Sequence, residues 1–224
     1  MESVKEALGR KTVLFSLLLI LSCGAFFRFY GLGKQSFWND ELASWKICQY
    51  DNIRRAIKKG VCPDVHPPGY QALLFLVVKY IGDSESILRF PSAVAGALSP
   101  FMIFLVCAKL YTYREGLIAS ALMAFSWCPI YYSQEARPYS LLLLFTLVSM
   151  YFWILLLKDL HRNETNRDYY SLSGYIVSAV TVCYLHYFGL FLIALQGIGA
   201  VITLLRKKKA LRCVSATYIF VILA

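Results

Sequence analysis

The chain has 224 residues, of which 58% are hydrophobic and 16% charged. Soluble globular domains carry roughly 45–50% apolar and about 25% charged residues, so this composition excludes an ordinary water-soluble domain and indicates an integral membrane protein. The formal net charge is +10, but the positive residues lie between long apolar runs, where they meet lipid headgroups and set topology. We therefore expect membrane lipid, and no nucleic acid, as a partner.

Apolar runs give the predicted elements in chain order. A helix needs about 20 apolar residues to cross a bilayer, and uncharged runs near that length lie at 12–27, 90–108, 116–134 and 138–157. The uncharged stretch 169–205 is long enough for two spans, with a break predicted at 185–189. A last run begins after Arg212 and is still apolar at Ala224, which indicates a chain that stops inside a helix. About seven spans are thus begun.

The short apolar run 67–78 is predicted to lie in the outer interface. Its twelve residues cover about 18 Å as a helix, which is too short to cross. If it does not cross and the N-terminus is cytoplasmic, thirteen of the 23 Lys and Arg residues fall inside. A full span there would put the basic cluster 206–212 outside, against the positive-inside rule. The sequence therefore predicts an all-α, polytopic helical bundle with an outer interfacial helix.

The long outer segment, about residues 31–89, carries the acidic pair Asp40-Glu41. In an outer loop such a pair is often a solvated charge, and Asp40 suits a helix N-cap. The alternative is a carboxylate at headgroup level that accepts a proton from a nucleophile. The neighbouring aromatic residues Phe37, Trp38 and Trp45 fit the interfacial belt.

Other polar residues collect on the same predicted face. His66 precedes two prolines, which is the pattern of a helix start, and it could also contact an anion. Glu135 and Arg137 in the next outer turn form either an exposed charge pair or a phosphate site, since arginine donates in a bidentate manner. Arg89 is a second phosphate candidate, and His186 is either an interface histidine or a ligand.

Two cysteines, Cys48 and Cys62, lie in the outer segment. If that compartment is oxidising they can pair, and the sequence leaves both states open. The other cysteines lie in or near spans, where they are small buried hydrophobes.

Six motifs occur in order along the chain: FWNDE at 37–41, HPPGY at 66–70, ESILRFPSA at 85–93, YTYREG at 111–116, YYSQEARPY at 131–139 and HYFG at 186–189. Together they resemble the GT-C membrane glycosyltransferases of the dolichyl-phosphate-mannose protein mannosyltransferase type, which include bacterial relatives that modify lipid A with aminoarabinose. By this resemblance, residues 1–224 are the N-terminal part of a single GT-C-like transmembrane domain with its catalytic loop at about 31–89.

The resemblance implies a transferase that takes a sugar from a polyprenyl-phosphate-linked donor, binds its acceptor on the outer face of the cell membrane and inverts the anomeric carbon. Asp40 matches the catalytic acidic residue and would be the general base, supported by Glu41. Tyr131 is a further candidate for lining the sugar site. The predicted donor and substrate residues are His66, Arg89, Gln134, Glu135, Arg137, Tyr132, Tyr139 and His186. A divalent metal is left open, with Glu85 or His186 as candidate ligands, and so is an acceptor of protein, lipid or glycan.

Two other classes compete with this interpretation. A multi-pass transporter would place ionisable residues at mid-bilayer and often show repeated halves, and neither feature is visible. A non-catalytic membrane scaffold would tolerate Asp40→Asn, whereas an enzyme with this base would not.

Overall fold

The computed structural model describes residues 2–62, 66–162 and 169–205, and all of its regular elements are helices. Its first half contains α1 (Glu2–Phe29), α2 (Asn39–Cys48), α3 (Ile53–Arg55), a π-helix (Ala56–Val61) that continues α3, α4 (Gly69–Tyr80) and α5 (Glu85–Leu110). The second half contains α6 (Tyr113–Phe125), α7 (Trp127–Ser133), α8 (Tyr139–Arg162), α9 (Tyr169–Leu185) and α10 (Phe188–Leu205). No strand occurs within these ranges, which agrees with the predicted all-α class.

Three of the predicted spans are single helices that are long and apolar enough to cross a membrane: Lys11–Phe29, Glu85–Leu110 and Tyr139–Lys158. The predicted break in 169–205 is confirmed, since α9 ends at Leu185 and α10 begins at Phe188. The predicted last span, beyond Arg212, lies outside the described residues. The count of seven spans therefore stays a prediction.

The run 116–134, predicted as one span, is not one continuous helix, because the chain breaks at Ser126 into α6 and α7. Ser126 is extended (φ −67°, ψ 135°) and its hydroxyl donates to the carbonyl of Leu122. Pro129 is consistent with the break. In a continuous helix its ring would clash with the carbonyl of Phe125, and it has no N–H to donate there.

The bundle packs α5 against α1, α6 and α8, and α8 against α9, while α4 covers α5 and α9. As predicted, α4 is a short helix of twelve residues. Its buried residues Tyr70, Leu74 and Phe75 belong to a core that includes Ala95 of α5 and Leu185 of α9. A Cβ on Gly69 would lie 2.6 Å from the carbonyl oxygen of Tyr184, so only glycine permits this approach.

Candidate active site

Three connections meet at one end of the bundle: the outer segment between α1 and α5, the turn 134–138 between α7 and α8, and the turn 186–187 between α9 and α10. The short connection between α5 and α6 lies at the other end, where the Lys158 ammonium donates to the carbonyl of Lys109. The predicted site residues are therefore gathered on one face.

An ion pair between α2 and α5 fixes the outer segment. Glu41 is fully buried and pairs with Arg89, whose Nε donates to Oε1 at 2.8 Å and whose terminal nitrogen donates to Oε2 at 2.6 Å. The other N–H groups of Arg89 donate to the carbonyls of Leu32, Gln35 and Ser36 at 2.8–3.3 Å. All five N–H groups of this guanidinium are therefore occupied.

The same carboxylate also holds the turn 134–138. Glu41 Oε1 accepts from the backbone N–H of Ala136 at 2.7 Å. On the other side, the Ser92 hydroxyl donates to the carbonyl of Arg137 at 3.0 Å. Since that donation uses the only hydroxyl proton of Ser92, the Tyr70 hydroxyl, 3.3 Å away, is the donor to Ser92. Burial raises the pKa of Tyr70 well above its ordinary value, which keeps this donor protonated.

Gln134 ties the turn to the end of α1. Its side-chain amide donates to the carbonyls of Phe27 at 2.8 Å and Tyr30 at 3.1 Å. Gln134 thus positions the turn in this structure.

Asp40 is the exposed member of the acidic pair. Its side chain is 51% exposed, and Oδ2 lies 3.6 Å from a terminal nitrogen of Arg137. Arg137 itself is nearly buried, and its Nε has no hydrogen-bond partner within the described part of the chain. The site therefore presents an accessible carboxylate beside a fixed cation that has a donor to spare.

Aromatic and imidazole rings continue from this cation. The guanidinium carbon of Arg137 lies 5.7 Å from the centre of the Tyr139 ring. Tyr139 contacts Tyr132 and His186, with centroids 4.9 and 6.0 Å apart. His66 reaches the same place from the start of α4, with its ring 5.4 Å from that of His186.

His186 is placed as a hydrogen-bond donor. Its Nδ1 accepts from the backbone N–H of Phe188 at 3.2 Å, so in the neutral ring the proton is on Nε2. Burial lowers the pKa of His186, and the charges of His66 and Arg137 lower it further. The neutral ring is therefore favoured over a wider pH range than in a free histidine.

Glu135 is a buried carboxyl beside the acidic pair. Burial raises its pKa above the ordinary value, the charges of Glu41 and Asp40 raise it further, and Tyr131 and Arg137 act in the opposite direction. Its Oε2 has no hydrogen-bond partner among the described residues. A protonated Glu135 would leave the charge of Arg137 available for an anion.

One predicted role needs correction. Arg89 was expected to contact the donor phosphate, but each of its N–H groups is already bound to Glu41 or to a backbone carbonyl. Arg89 therefore acts as a positioning residue. Of the two arginines predicted to contact the phosphate, Arg137 is the one whose guanidinium keeps an N–H without a partner among the described residues.

A metal site is not evident in the described ranges. No group of three or more His, Cys, Asp or Glu side chains there is arranged to hold a metal, and Glu85 and His186 belong to no such group. Cys48 and Cys62 are unpaired: Cys48 is buried, which raises the pKa of its thiol to about 12, and Cys62 is exposed.

Three residues around the site were missed by the sequence analysis: Tyr70, Ser92 and Arg28. Arg28 is fully buried at the end of α1 and donates to the carbonyls of Met123 and Ala124 at 3.0 Å. A buried cation at the end of an apolar run is an expensive feature. The place of Arg28 directly after the apolar run 12–27 is the sequence signal that could have identified it.

Two comparisons with known proteins bear on the identity of this chain. No curated protein matches the chain. A family model, described as dolichyl-phosphate-mannose-protein mannosyltransferase, matches residues 65–224, which is more than two thirds of the chain. The matched region includes Arg89, Arg137 and His186 and begins after Asp40 and Glu41. The chain therefore belongs to the dolichyl-phosphate-mannose-protein mannosyltransferase family of membrane glycosyltransferases.

Proposed function

We propose that the protein transfers a sugar from a polyprenyl-phosphate-linked donor to a nucleophile of an acceptor on the outer face of the cell membrane. Asp40 is the general base, and the anomeric carbon is inverted. The single observation that carries this proposal is the contact between the exposed Asp40 carboxylate and the nearly buried Arg137, at 3.6 Å. A base and a phosphate-binding cation are thus adjacent at the meeting point of three connections.

The environments of the two acidic residues support different roles for them. Glu41 accepts two hydrogen bonds from Arg89 and one each from the backbone N–H groups of Ala136 and Trp38, which occupies the roughly four acceptor sites of a carboxylate and leaves none for a substrate. Asp40 is open to solvent on the side that Arg137 does not cover. Asp40 therefore takes the acceptor proton, and Glu41 holds α2 so that Asp40 is in place.

The reaction is a single displacement. The acceptor oxygen loses its proton to Asp40 and forms a bond to the anomeric carbon, while the bond from that carbon to the phosphate oxygen breaks. The polyprenyl phosphate leaves with the electron pair. Because a phosphate is already a good leaving group, the reaction needs charge stabilisation and no strong general acid.

Arg137 supplies that stabilisation, since the terminal nitrogens of its guanidinium, one of which faces the exposed Asp40, can donate to the departing phosphate. His186 and His66 lie on the same side and can add neutral or charged donors. Tyr132 and Tyr139 are placed to line the sugar pocket. No step in this scheme passes through a metal, and the acceptor class stays open among protein, lipid and glycan.

The test is sugar transfer by the full-length protein in native-lipid vesicles. A panel of radiolabelled polyprenyl-phosphate sugars is offered as donor, with an outer-face extract as acceptor. Asp40→Asn should lower the rate by about 10²–10⁴-fold, the usual range for a general base, and Arg137→Ala should also abolish most transfer. Asp83→Asn is the matched control, because Asp83 is an exposed carboxylate on the same outer segment and belongs to neither proposed binding site.

Transfer by Asp40→Asn at the wild-type rate would refute the base assignment. If wild type consumes none of the donors while the purified protein is folded, the transporter and scaffold interpretations take precedence.

A further inference from the structure

A row of exposed cations lies on the helical segment formed by α3 and the π-helix. Positions spaced by three and four residues are neighbours on the surface of a helix. The opposite face buries Ala56 and Val61. The exposed residues, called the basic stripe here, are Arg54, Arg55, Lys58 and Lys59.

The basic stripe has little compensating negative charge. Residues 46–62 contain five Lys or Arg and a single acidic residue, Asp51. Asp51 pairs with Arg55. Among the residues that the structure describes, no carboxylate forms an ion pair with Arg54, Lys58 or Lys59. Within those residues these three cations have no acidic partner, and the next acidic residue of the sequence, Asp64, lies outside the described ranges.

The packing directs the basic stripe away from the bundle. Ala56, on the opposite face, belongs to the same core as Tyr70 and Leu74 of α4 and Ala95 of α5. The π-helix contacts α2 and α4, and α4 in turn covers α5 and α9. The basic stripe is therefore exposed on the side of this segment that faces away from α4, where a charged partner can reach it.

The basic stripe is also within reach of the proposed base. Gly60 packs against Ile47 so closely that an added Cβ would lie 2.8 Å from that side chain. Ile47 and Asp40 are on the same helix, α2, separated by about 10 Å at 1.5 Å per residue. An extended molecule can therefore contact the basic stripe and Asp40 at the same time.

We propose that the basic stripe binds the acceptor of the transfer reaction, and that this acceptor is an extended polyanion bearing phosphate or carboxylate groups. The inference rests on the proposed function, because it names the chemical class of the acceptor that Asp40 deprotonates. Exposed ion pairs of this kind are individually weak, so the binding depends on several anionic groups acting together.

The test uses the full-length protein in nanodiscs of zwitterionic phosphatidylcholine. The probes are fluorescent polyphosphate and fluorescent polyglutamate, and their binding is measured by fluorescence anisotropy. The measurement is made at about 50 and about 200 mM NaCl, below and above physiological ionic strength. The double variant Lys58→Gln/Lys59→Gln should bind at least one probe about 2- to 30-fold more weakly, since each exposed pair is worth about 1.4- to 5-fold. The matched control is Lys109→Gln/Lys158→Gln, two exposed lysines at the other end of the bundle.

A second readout connects binding to transfer. In the vesicle assay the stripe variant should require about 2- to 30-fold more acceptor for half-maximal transfer, because the same two weak pairs are lost. Asp40→Asn should bind the polyanion as wild type does, because binding needs no proton transfer. Transfer and polyanion binding therefore test the two proposals separately. If the base assignment fails, Asp40→Asn still transfers sugar. If the acceptor assignment fails, the stripe variant binds the polyanion as wild type does.

Three results would overturn the proposal. The first is that wild type binds neither probe in phosphatidylcholine nanodiscs, and the second is that both double variants lose binding equally. The third is that purified wild type retains anionic phosphatidylglycerol and the stripe variant does not, with no difference in polyanion binding. That last result would assign the surface to lipid.

Discussion

Asp40 and Glu41 are adjacent in sequence, yet one is half exposed and the other completely buried. Successive residues of a helix point about 100° apart, as 3.6 residues per turn requires, so α2 directs Glu41 towards α5 and Asp40 towards solvent. A sequence motif does not distinguish these two environments. The partner of each carboxylate decides its role.

Arg89→Lys should destabilise the protein strongly, although it keeps the charge. Lysine has three N–H groups and no planar fork, so it cannot serve both oxygens of Glu41 and three carbonyls. Breaking a buried ion pair typically costs about 3–5 kcal/mol, and the free energy of unfolding in detergent measures it.

The matched control for that variant is Arg55→Lys, at an exposed arginine paired with Asp51. It should change the free energy of unfolding little, as exposed pairs do. An equal effect of the two substitutions would contradict the structural role given to Arg89.

Glu135→Gln should raise the melting temperature at neutral pH. The folded-state pKa of Glu135 is raised, so its protonated form adds stability that is present at low pH and lost as the pH rises through the folded pKa. Glutamine mimics the protonated form at every pH. The difference between variant and wild type should therefore shrink as the pH falls below about 4.3, the ordinary value of a glutamic acid.

Glu115→Gln gives the control of opposite sign. The hydrogen bond from Thr112 lowers the pKa of Glu115, so its ionised form stabilises the fold above the ordinary pKa and this effect is lost as the pH falls. The glutamine variant should be less stable than wild type at pH 7. A pH-independent difference for Glu135→Gln would show that its carboxyl titrates normally.

At the scale of elements, hydropathy predicts where α1, α5 and α8 lie, because an uncharged run of sufficient length has few alternatives to a helix. The break between α6 and α7 escapes this criterion, since Ser126 and Pro129 are both uncharged and apolar residues flank them. Pro129 is consistent with the break, but proline alone does not predict it, because α5 continues as one helix through Pro91 and Pro100.

Arg28→Met tests how the broken helix is stabilised. Arg28 donates to the carbonyls of Met123 and Ala124 in the last turn of α6, which otherwise have no partner in a helix that stops at Phe125. Leaving a buried acceptor unsatisfied costs about 1–3 kcal/mol, so the variant should unfold at a clearly lower denaturant concentration than wild type.

Arg114→Met is the control for this variant, because Arg114 is an exposed arginine at the start of the same helix. If both variants unfold alike, the capping of α6 by Arg28 contributes nothing measurable.

For the whole molecule, charge parity predicts which connections share a side of the membrane, but it does not predict which residues meet there. Charge parity places Asp40, Arg137 and His186 on one face, and any of the arginines on that face could have paired with either acidic residue. The structure pairs Arg89 with Glu41 and Arg137 with Asp40. These contacts join residues 48 and 97 positions apart, so they depend on packing that no local pattern encodes.

The predicted topology can be tested through Cys62, a free and exposed thiol on the outer segment. In a chain whose six other cysteines are serine, a membrane-impermeant maleimide should label Cys62 on intact cells, because positive-inside placement puts this segment outside. With Cys62 also replaced by serine, Arg114→Cys introduces a thiol at the opposite end of the bundle, which should react only after permeabilisation. The reverse pattern would place Asp40 and Arg137 in the cytoplasm, and the donor would then have to present its sugar on that side.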